Sequence, residues 1–261
     1  MYKAIFLDID GTLVSFKSHL IPQSTVDALD RARQRGVKII ISTGRPPHII
    51  TNLGQIENLI DGFISTNGAF CYIGENDVNF SVIKKNDVEY IVGRCEEIHT
   101  PIILVTRDDM AVLGQGEVFD RLFVDMLNIH NIVTNQEHAR SLLSKPIIQL
   151  TPFIDAAIES DIVAHTSHCT SGRWHPEFTD ITSSAADKGK GLLAMAKALN
   201  INIEETIAFG DGGNDLPIIR QAGLGIAMGN ACEQLKQEAQ YVTTDVDNDG
   251  IMNALRHFNI I

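Results

Sequence analysis

The feature that most constrains the fold is a repeated pattern in which a short apolar run ends at a polar or acidic residue. The clearest apolar runs are Ala4–Leu7, Val37–Ile41 and Thr206–Phe209. Runs without polar alternation are typical of strands buried on both faces of a parallel sheet. Helical patterns at 25–35 and 188–199 lie between such runs. This strand–helix alternation predicts a doubly wound parallel α/β sheet.

The middle of the chain does not follow this pattern. Between about residues 84 and 183 the sequence breaks into short β-rich pieces with helical stretches among them, and Ile162–Thr166 is one of the predicted strands. We therefore expect a separate α+β domain at 84–183, inserted into a core formed by 1–83 and 184–261. The two linkers are expected near residues 83 and 184.

The charge balance excludes several classes of partner. Lys and Arg total 21 against 33 Asp and Glu, which gives a formal net charge of −12. Such a surface repels a nucleic acid duplex or an anionic membrane. No apolar stretch approaches the roughly 20 residues of a membrane span, and Asp8 and Asp10 interrupt any signal-peptide pattern. We expect a cytoplasmic protein, and these patterns leave its oligomeric state open.

Two carboxylates follow the first apolar run, in the segment Asp8-Ile9-Asp10-Gly11-Thr12-Leu13. Side chains two positions apart in an extended chain point to the same side. They lie at the carboxyl end of a strand, where open α/β sheets bind ligands. Because close carboxylates repel each other, the pair indicates a bound divalent cation or an acid that keeps its proton. A plain Asp-Gly turn is the alternative, but it does not account for Asp8 at the strand end.

Further candidate ligands follow the other apolar runs. Asp211 holds the same strand-end position as Asp8, in the segment Gly210-Asp211-Gly212-Gly213-Asn214-Asp215. Converging carboxylates predict a hard-cation site, with Mg²⁺ as the expected ion.

Ser42-Thr43-Gly44-Arg45 offers a hydroxyl and backbone N–H groups at a helix start, which is typical of an anion site. Lys188 is a candidate phosphate-binding cation, and a solvated surface lysine is the alternative.

These motifs together resemble a known superfamily. DIDGTL at 8–13, STGR at 42–45, Lys188-Gly189 and GDGGND at 210–215 are similar to the four ordered motifs of the haloacid dehalogenase superfamily. The insert resembles the large cap of its Cof-type phosphatases, subfamily IIB. Asn67-Gly68-Ala69 and the segment 225–231 also match that subfamily. The resemblance implies a Rossmann-like parallel-sheet core with an inserted α+β cap domain.

The resemblance also implies roles for individual residues. Asp8 would be the nucleophile that forms an aspartyl-phosphate, and Asp10 the general acid and base. Thr43, Gly44 and Lys188 would bind the phosphoryl group. Magnesium would be held by Asp8, Asp211 and the backbone carbonyl of Asp10, and the supporting residues would be Asn214 and Asp215. The candidate substrate-facing residues are Arg45, Arg173 and Trp174, with packing inside the cap as the alternative for the last two.

The expected function is hydrolysis of small phosphorylated metabolites by a magnesium-dependent phosphomonoesterase, with sugar phosphates, and hexose phosphates in particular, as the first substrate class. A phosphatase for pyridoxal phosphate or flavin mononucleotide is the first alternative, followed by a phosphomutase. A non-catalytic protein that binds phosphorylated metabolites on the same fold is the alternative from a different functional class.

Overall fold

The structure is a computed structural model that describes residues 1–126 and 129–261, with the backbone alone for Trp174. The first third contains β1 (Ala4–Leu7), α1 (Gln23–Gln34), β2 (Lys38–Ser42), β3 (Gly62–Ser65), β4 (Phe70–Ile73) and β5 (Asn76–Phe80). The middle contains α2 (Lys85–Glu97), β6 (Ile102–Val105), β7 (Met110–Leu113), α3 (Glu117–Phe119), a π-helix (Asp120–Met126), α4 (Gln136–Leu142), β8 (Gln149–Pro152), α5 (Ala156–Ala164), β9 (Cys169–His175) and β10 (Phe178–Ser183). The last third contains α6 (Lys188–Ala198), β11 (Thr206–Gly210), α7 (Leu216–Gln221), β12 (Leu224–Ala227), α8 (Glu233–Glu238), β13 (Tyr241–Val242) and α9 (Gly250–His257). Across the described helices, none has both the length and the apolar character that a membrane crossing needs.

The chain forms two compact units. The core unit comprises Met1–Arg45, Ile50–Asn79 and Asp187–Ile261, and the inserted unit comprises Pro46–Ile49 and Phe80–Ala186. The boundaries between the two units therefore fall near residues 79 and 187, whereas the sequence predicted linkers near residues 83 and 184. The short segment Pro46–Ile49 belongs to the inserted unit, although it directly follows the strand β2 and the loop after it.

The core unit is built on one eight-stranded sheet with the strand order β13-β12-β11-β1-β2-β3-β4-β5. Strands β13 through β3 in this order are parallel, and β4 runs antiparallel to β3. Leu7 is paired with Ile41 on one side and with Phe209 on the other. The carboxyl ends of β1, β2 and β11 therefore meet at the same edge of the sheet, which is where the candidate site residues follow.

Both faces of this sheet are covered. On β1, Ile5 and Leu7 pack into a hydrophobic cluster that includes residues of α1 and α9. Ala4 and Phe6 alternate with them and pack into a second cluster that includes residues of α6 and α7. Burial of successive side chains on opposite faces accounts for the unbroken apolar run in the sequence. The predicted doubly wound α/β core is confirmed.

The inserted unit is an antiparallel sheet with helices against one face. Its strand order is β7-β6-β8-β10-β9, and every neighbouring pair is antiparallel. Apolar side chains of α2, α4 and α5 pack with those of β6, β7, β8 and β10 in one hydrophobic cluster. This is the α+β architecture predicted for the insert.

One predicted element of the insert is wrong. The apolar residues around Ile162 indicated a strand at Ile162–Thr166, but α5 covers Ala156–Ala164. The side chain of Asp155 accepts hydrogen bonds from the backbone N–H groups of Ala157 and Ile158, each 2.9 Å long, and this N-cap starts the helix. A short apolar run fits either structure, and the cap decides between them.

Candidate active site

The parallel register brings the strand-end residues of the sequence analysis to one edge of the core sheet. Asp8 follows β1, Thr43 follows β2 and Asp211 follows β11. The backbone N–H of Asp8 donates to the carbonyl of Phe209, and that of Thr43 donates to the carbonyl of Ile64. These bonds continue the sheet ladder for one residue past each strand. The positions of Asp8 and Thr43 are therefore fixed by backbone pairing.

Lys188 is the first residue of α6 and its side chain is fully buried. Its Nζ donates to Oδ1 of Asp8 at 2.6 Å and to Oδ1 of Asp215 at 2.5 Å. The N-cap of α6 is Asp187, whose side chain accepts from the backbone N–H of Lys190. A buried ammonium group needs such partners, because removing an unpaired charge from water costs on the order of several kcal/mol.

Asp215 links this lysine to the acidic loop, which is the segment 211–215 between β11 and α7. Its second carboxylate oxygen, Oδ2, accepts from the backbone N–H groups of Asp211 and Gly212, both at 3.0 Å. Both of its oxygens are therefore engaged by groups of the core unit. This geometry orients Lys188 and shapes the loop that carries Asp211, in keeping with the supporting role expected for Asp215.

Two residues that contact Asp211 were not singled out by the sequence analysis. Thr12 is fully buried, and its hydroxyl donates to Oδ1 of Asp211 at 2.9 Å. Gly11 has φ +84°, and a Cβ built on it would lie 2.3 Å from Oδ2 of Asp211. A side chain at position 11 would therefore displace the carboxylate. Both residues lie in the segment that begins with Asp8, and this position in the motif could have identified them from the sequence.

Burial and like charges perturb the pKa values of these acids. The pKa of Asp8 lies well above its ordinary value, because burial raises it by more than the charge of Lys188 lowers it, and because the charges of Asp215 and Asp211 raise it further. Burial, followed by the charge of Asp215, raises the pKa of Asp211 to about 7. Although burial alone would lower the pKa of Lys188, the carboxylates of Asp215 and Asp8 raise it. The lysine is therefore cationic, and Asp8 and Asp211 hold protons more readily than ordinary aspartates.

The carboxylates fit a hard cation. Asp8, Asp211 and Asp215 each offer an oxygen, and these oxygens all lie within 4.8 Å of one another. Carboxylate oxygens are the ligands that Mg²⁺ takes in proteins. Because both oxygens of Asp215 already accept hydrogen bonds, Asp8 and Asp211 are the better placed ligands. The side chain of Asp10 is not part of this acidic cluster.

Asp10 is instead paired with Arg45. Nε and Nη2 of Arg45 donate to the two carboxylate oxygens of Asp10, each at 2.7 Å. The backbone N–H of Arg45 donates to the hydroxyl of Thr43 at 3.1 Å. The candidate acid and the candidate substrate-facing arginine thus form a bidentate pair at the end of the anion loop, which is the segment 42–45.

The remaining expected residues of the core lie in the same place. Asn214 donates from Nδ2 to Oδ1 of Asn67 at 3.1 Å. A Cβ built on Gly44 would lie 3.1 Å from the amide atoms of Asn67, so these two residues are in close contact. The structure therefore brings the loop of Thr43 and Gly44, the acidic loop and Lys188 together within the core unit.

Arg173 and Trp174 lie on β9 of the inserted unit. Nε of Arg173 donates to Glu159 at 2.5 Å, and its other donors reach the carbonyls of His175, Pro176 and Ile154. The guanidinium thus ties β9 to neighbouring segments, and the packing alternative describes Arg173 better than the expected substrate contact. The prediction for the Trp174 side chain lies outside the described part of the structure.

Comparisons with known proteins agree with this geometry. The sequence model of the haloacid dehalogenase-like hydrolases matches residues 5–255. A putative phosphatase of Bacillus subtilis, YkrA, is 31% identical over 99% of this chain and 98% of its own. The solved structure of a protein described as the HAD subclass IIB sugar phosphatase BT4131 is 43% identical with a TM-score of 0.93, covering 99% of this chain and 100% of that chain. The pyridoxal phosphate phosphatase YbhA of Escherichia coli is 26% identical over 95% of this chain and 96% of its own.

The chain therefore belongs to the haloacid dehalogenase-like hydrolase family. The predicted superfamily with its Cof-type subgroup is confirmed, and so is the predicted enzyme class, a phosphatase of this superfamily. The roles of the individual site residues stay predictions.

Replacement of Arg173 tests its role in the inserted unit. Arg173→Ala leaves Glu159 without its charged partner and removes the guanidinium that donates to three carbonyls, so we expect a loss of about 2 kcal/mol in the free energy of unfolding. Arg121→Ala removes an exposed pair with Glu177 in the same unit and should have little effect on stability. The measurement is the urea midpoint of both variants. A changed ratio of kcat/KM between hexose phosphates and p-nitrophenyl phosphate in Arg173→Ala would restore the substrate-facing role.

The acidic cluster predicts a pH dependence of stability without divalent cations. The pKa of Asp211 is about 7 in the folded protein and near 3.8 when unfolded, so the folded state binds the extra proton and stability falls as pH rises between these values. Asp211→Asn removes this loss of stability, because the amide carries no charge at any of these pH values. With a chelator present, the variant should melt at a higher temperature than the wild type at about pH 8, and the difference should shrink at about pH 5. Asp120→Asn, which removes an exposed carboxylate, is the control. An equal difference at both pH values would contradict the prediction.

Proposed function

We propose that the protein is a magnesium-dependent phosphomonoesterase that hydrolyses small phosphorylated metabolites through an aspartyl-phosphate on Asp8. The observation that carries the proposal is the buried contact between Lys188 and Asp8 at 2.6 Å, beside the hydroxyl-bearing anion loop and the acidic cluster. A carboxylate held in this way is oriented for attack on a phosphorus atom. A phosphate group beside Lys188 and Thr43 would have its charge stabilised by donors that are already in place.

The first step forms a bond between a carboxylate oxygen of Asp8 and phosphorus while the bond to the leaving oxygen breaks. Oδ1 of Asp8 already accepts from Lys188, and within the described residues no hydrogen bond to its Oδ2 is found. Lys188 thus fixes the orientation of the carboxylate and leaves one oxygen available. The second step is attack of water on the phosphorus of the aspartyl-phosphate, which releases inorganic phosphate and restores the Asp8 carboxylate.

Asp10 is the proposed proton donor to the leaving oxygen and the proton acceptor from the attacking water. In the structure both of its oxygens accept from Arg45, an arrangement that needs Asp10 without its proton. Asp10 must therefore rotate away from Arg45 before it donates. Its exposed fraction of 35% leaves room for this rotation.

Asp8, Asp211 and the backbone carbonyl of Asp10 are the proposed ligands of Mg²⁺. When bound, the cation would supply positive charge that lowers the repulsion between these carboxylates and an incoming phosphate. Thr12 and Asp215 hold Asp211 and its loop in place for this task.

Sugar phosphates are the proposed substrate class, and hexose phosphates come first. The support is the structural similarity, at 43% identity, to a protein described as a sugar phosphatase. Pyridoxal phosphate is the alternative substrate, supported by the 26% identity to YbhA. A non-catalytic binding role is disfavoured because Asp8, Asp10, Lys188 and Asp211 are all present.

Phosphate release from a panel of hexose, pentose and pyridoxal phosphates, with and without Mg²⁺, tests the proposal. We expect turnover that requires the metal, with hexose phosphates giving the highest kcat/KM. Asp8→Asn should abolish turnover, because an amide does not accept the phosphoryl group, while the variant remains folded. Binding without metal-dependent turnover would favour the non-catalytic role, and a preference for pyridoxal phosphate would favour the alternative substrate.

The leaving group tests the role of Asp10. Asp10→Asn should slow hydrolysis of a hexose phosphate far more than that of p-nitrophenyl phosphate, because the alkoxide needs a proton and p-nitrophenolate does not. The control is Asp30→Asn, an exposed position on α1. Equal losses on both substrates would rule out Asp10 as the acid.

A further inference from the structure

The turn that follows β3 contains three consecutive residues in the left-handed region of backbone conformation. Thr66 and Asn67 both have φ +50°, and Gly68 has φ +91°. A β-branched residue such as Thr66 rarely adopts a positive φ. Each non-glycine residue held in this conformation lowers the stability of the fold by on the order of 1–3 kcal/mol. Conformations of this kind persist only where surrounding contacts impose them. The contacts of this turn therefore show which segments impose its conformation.

Two of the three residues bond through their backbone to the loop after β2. The backbone N–H of Thr66 donates to the carbonyl of Arg45 at 3.1 Å, and that of Asn67 donates to the carbonyl of Thr43 at 3.0 Å. These two bonds attach the turn to the anion loop.

The side chain of Asn67 reaches the acidic loop. Its Oδ1 accepts from Nδ2 of Asn214 at 3.1 Å, and its amide lies against Gly44. One side chain thus spans the space between the loop expected to bind phosphate and the loop that carries Asp211. Asparagine is among the few residues with a side chain that tolerate this backbone conformation.

Gly68 contacts the start of α6. A Cβ built on it would lie 2.2 Å from the carbonyl oxygen of Asp187, the N-cap of the helix that begins at Lys188. The backbones of the turn and of the helix start are therefore in direct contact. This close approach and the positive φ both require glycine.

We propose that Asn67 is a positioning residue for phosphoryl transfer, and that its amide sets the distance between the anion loop at Thr43 and Gly44 and the acidic loop at Asn214. This inference rests on the proposed function and adds a residue to it. Asn67 acts through Asn214 and the anion loop and makes no bond to the reacting atoms. The strain in the turn is accounted for by the need to meet three site loops at once.

The test compares Asn67→Gly with Asn67→Ala. Glycine keeps the left-handed backbone without strain and removes only the amide, whereas alanine removes the amide and retains the strain. We expect Asn67→Gly to keep its melting temperature and to lose about five- to tenfold in kcat, the size expected for one orienting hydrogen bond, with little change in KM. Asn67→Ala should show the same loss and a lower melting temperature. The matched control is Asn200→Gly, an exposed asparagine with φ +54° at the end of α6.

A double-variant cycle with Asn214→Ala separates positioning from general stability. If Asn67 acts through Asn214, Asn67→Gly should cost less than about twofold when Asn214 is already alanine. If the fold-losses in kcat of the two single variants multiply in the double variant, the proposal is overturned. An unchanged kcat in Asn67→Gly would overturn it as well.

The same cycle is measured by binding, through the rise in melting temperature that orthovanadate, a mimic of the transferring phosphoryl group, causes in the presence of Mg²⁺. If the wild type hydrolyses no ester, the proposed function fails, but coupling between Asn67 and Asn214 in vanadate binding would still support positioning. Independent effects of the two substitutions on vanadate binding, or no effect of Asn67→Gly on it, would overturn it.

Discussion

The buried ammonium group of Lys188 is the interaction on which the candidate site depends. It contacts Asp8 at the end of β1 and Asp215 in the acidic loop, two segments that are far apart in the chain. Both contacts are charge-assisted hydrogen bonds, which are about twice as strong as neutral ones. Loss of the lysine would leave two buried carboxylates facing each other. The strand end, the acidic loop and the start of α6 are thus held together by a single charge.

This arrangement leaves the site short of positive charge. The ionised carboxylates of Asp8, Asp10, Asp211 and Asp215 carry four negative charges, and the side chains of Lys188 and Arg45 carry two positive charges, which leaves an excess of two negative charges. Without a cation, protons reduce this excess, and the raised pKa values of Asp8 and Asp211 reflect that tendency. A divalent cation held by Asp8 and Asp211 would balance the same excess and would leave Asp8 ionised, as a nucleophile needs to be. This excess of negative charge therefore favours a metal-dependent reaction.

The sequence predicted those parts of the site that depend on strand periodicity and register. Asp8 and Asp211 could be placed together because apolar runs end beside them and parallel strands align their carboxyl ends. For Lys188 the residues alone left two interpretations open, a phosphate-binding cation or a surface lysine, and the family resemblance favoured the first, since no local pattern shows which loop a distant helix start will meet. The pairing of Asp10 with Arg45 depends on side-chain rotamers, and the strained turn at Thr66 is imposed by contacts from other segments. Arg173 was a candidate substrate-facing residue because it lies beside Trp174 in the insert, and its ion pair with Glu159 of α5 depends on packing that the sequence pattern does not show.

The central claim is that phosphoryl transfer proceeds through Asp8 in two displacements. The most direct measurement is the stereochemical course at phosphorus, with a thiophosphate ester made chiral by oxygen isotopes and hydrolysed in isotopically labelled water. Each in-line displacement inverts the configuration, so transfer to Asp8 followed by transfer to water predicts overall retention. Overall inversion would show a single attack by water on the substrate, and it would contradict the assignment of Asp8 as the nucleophile.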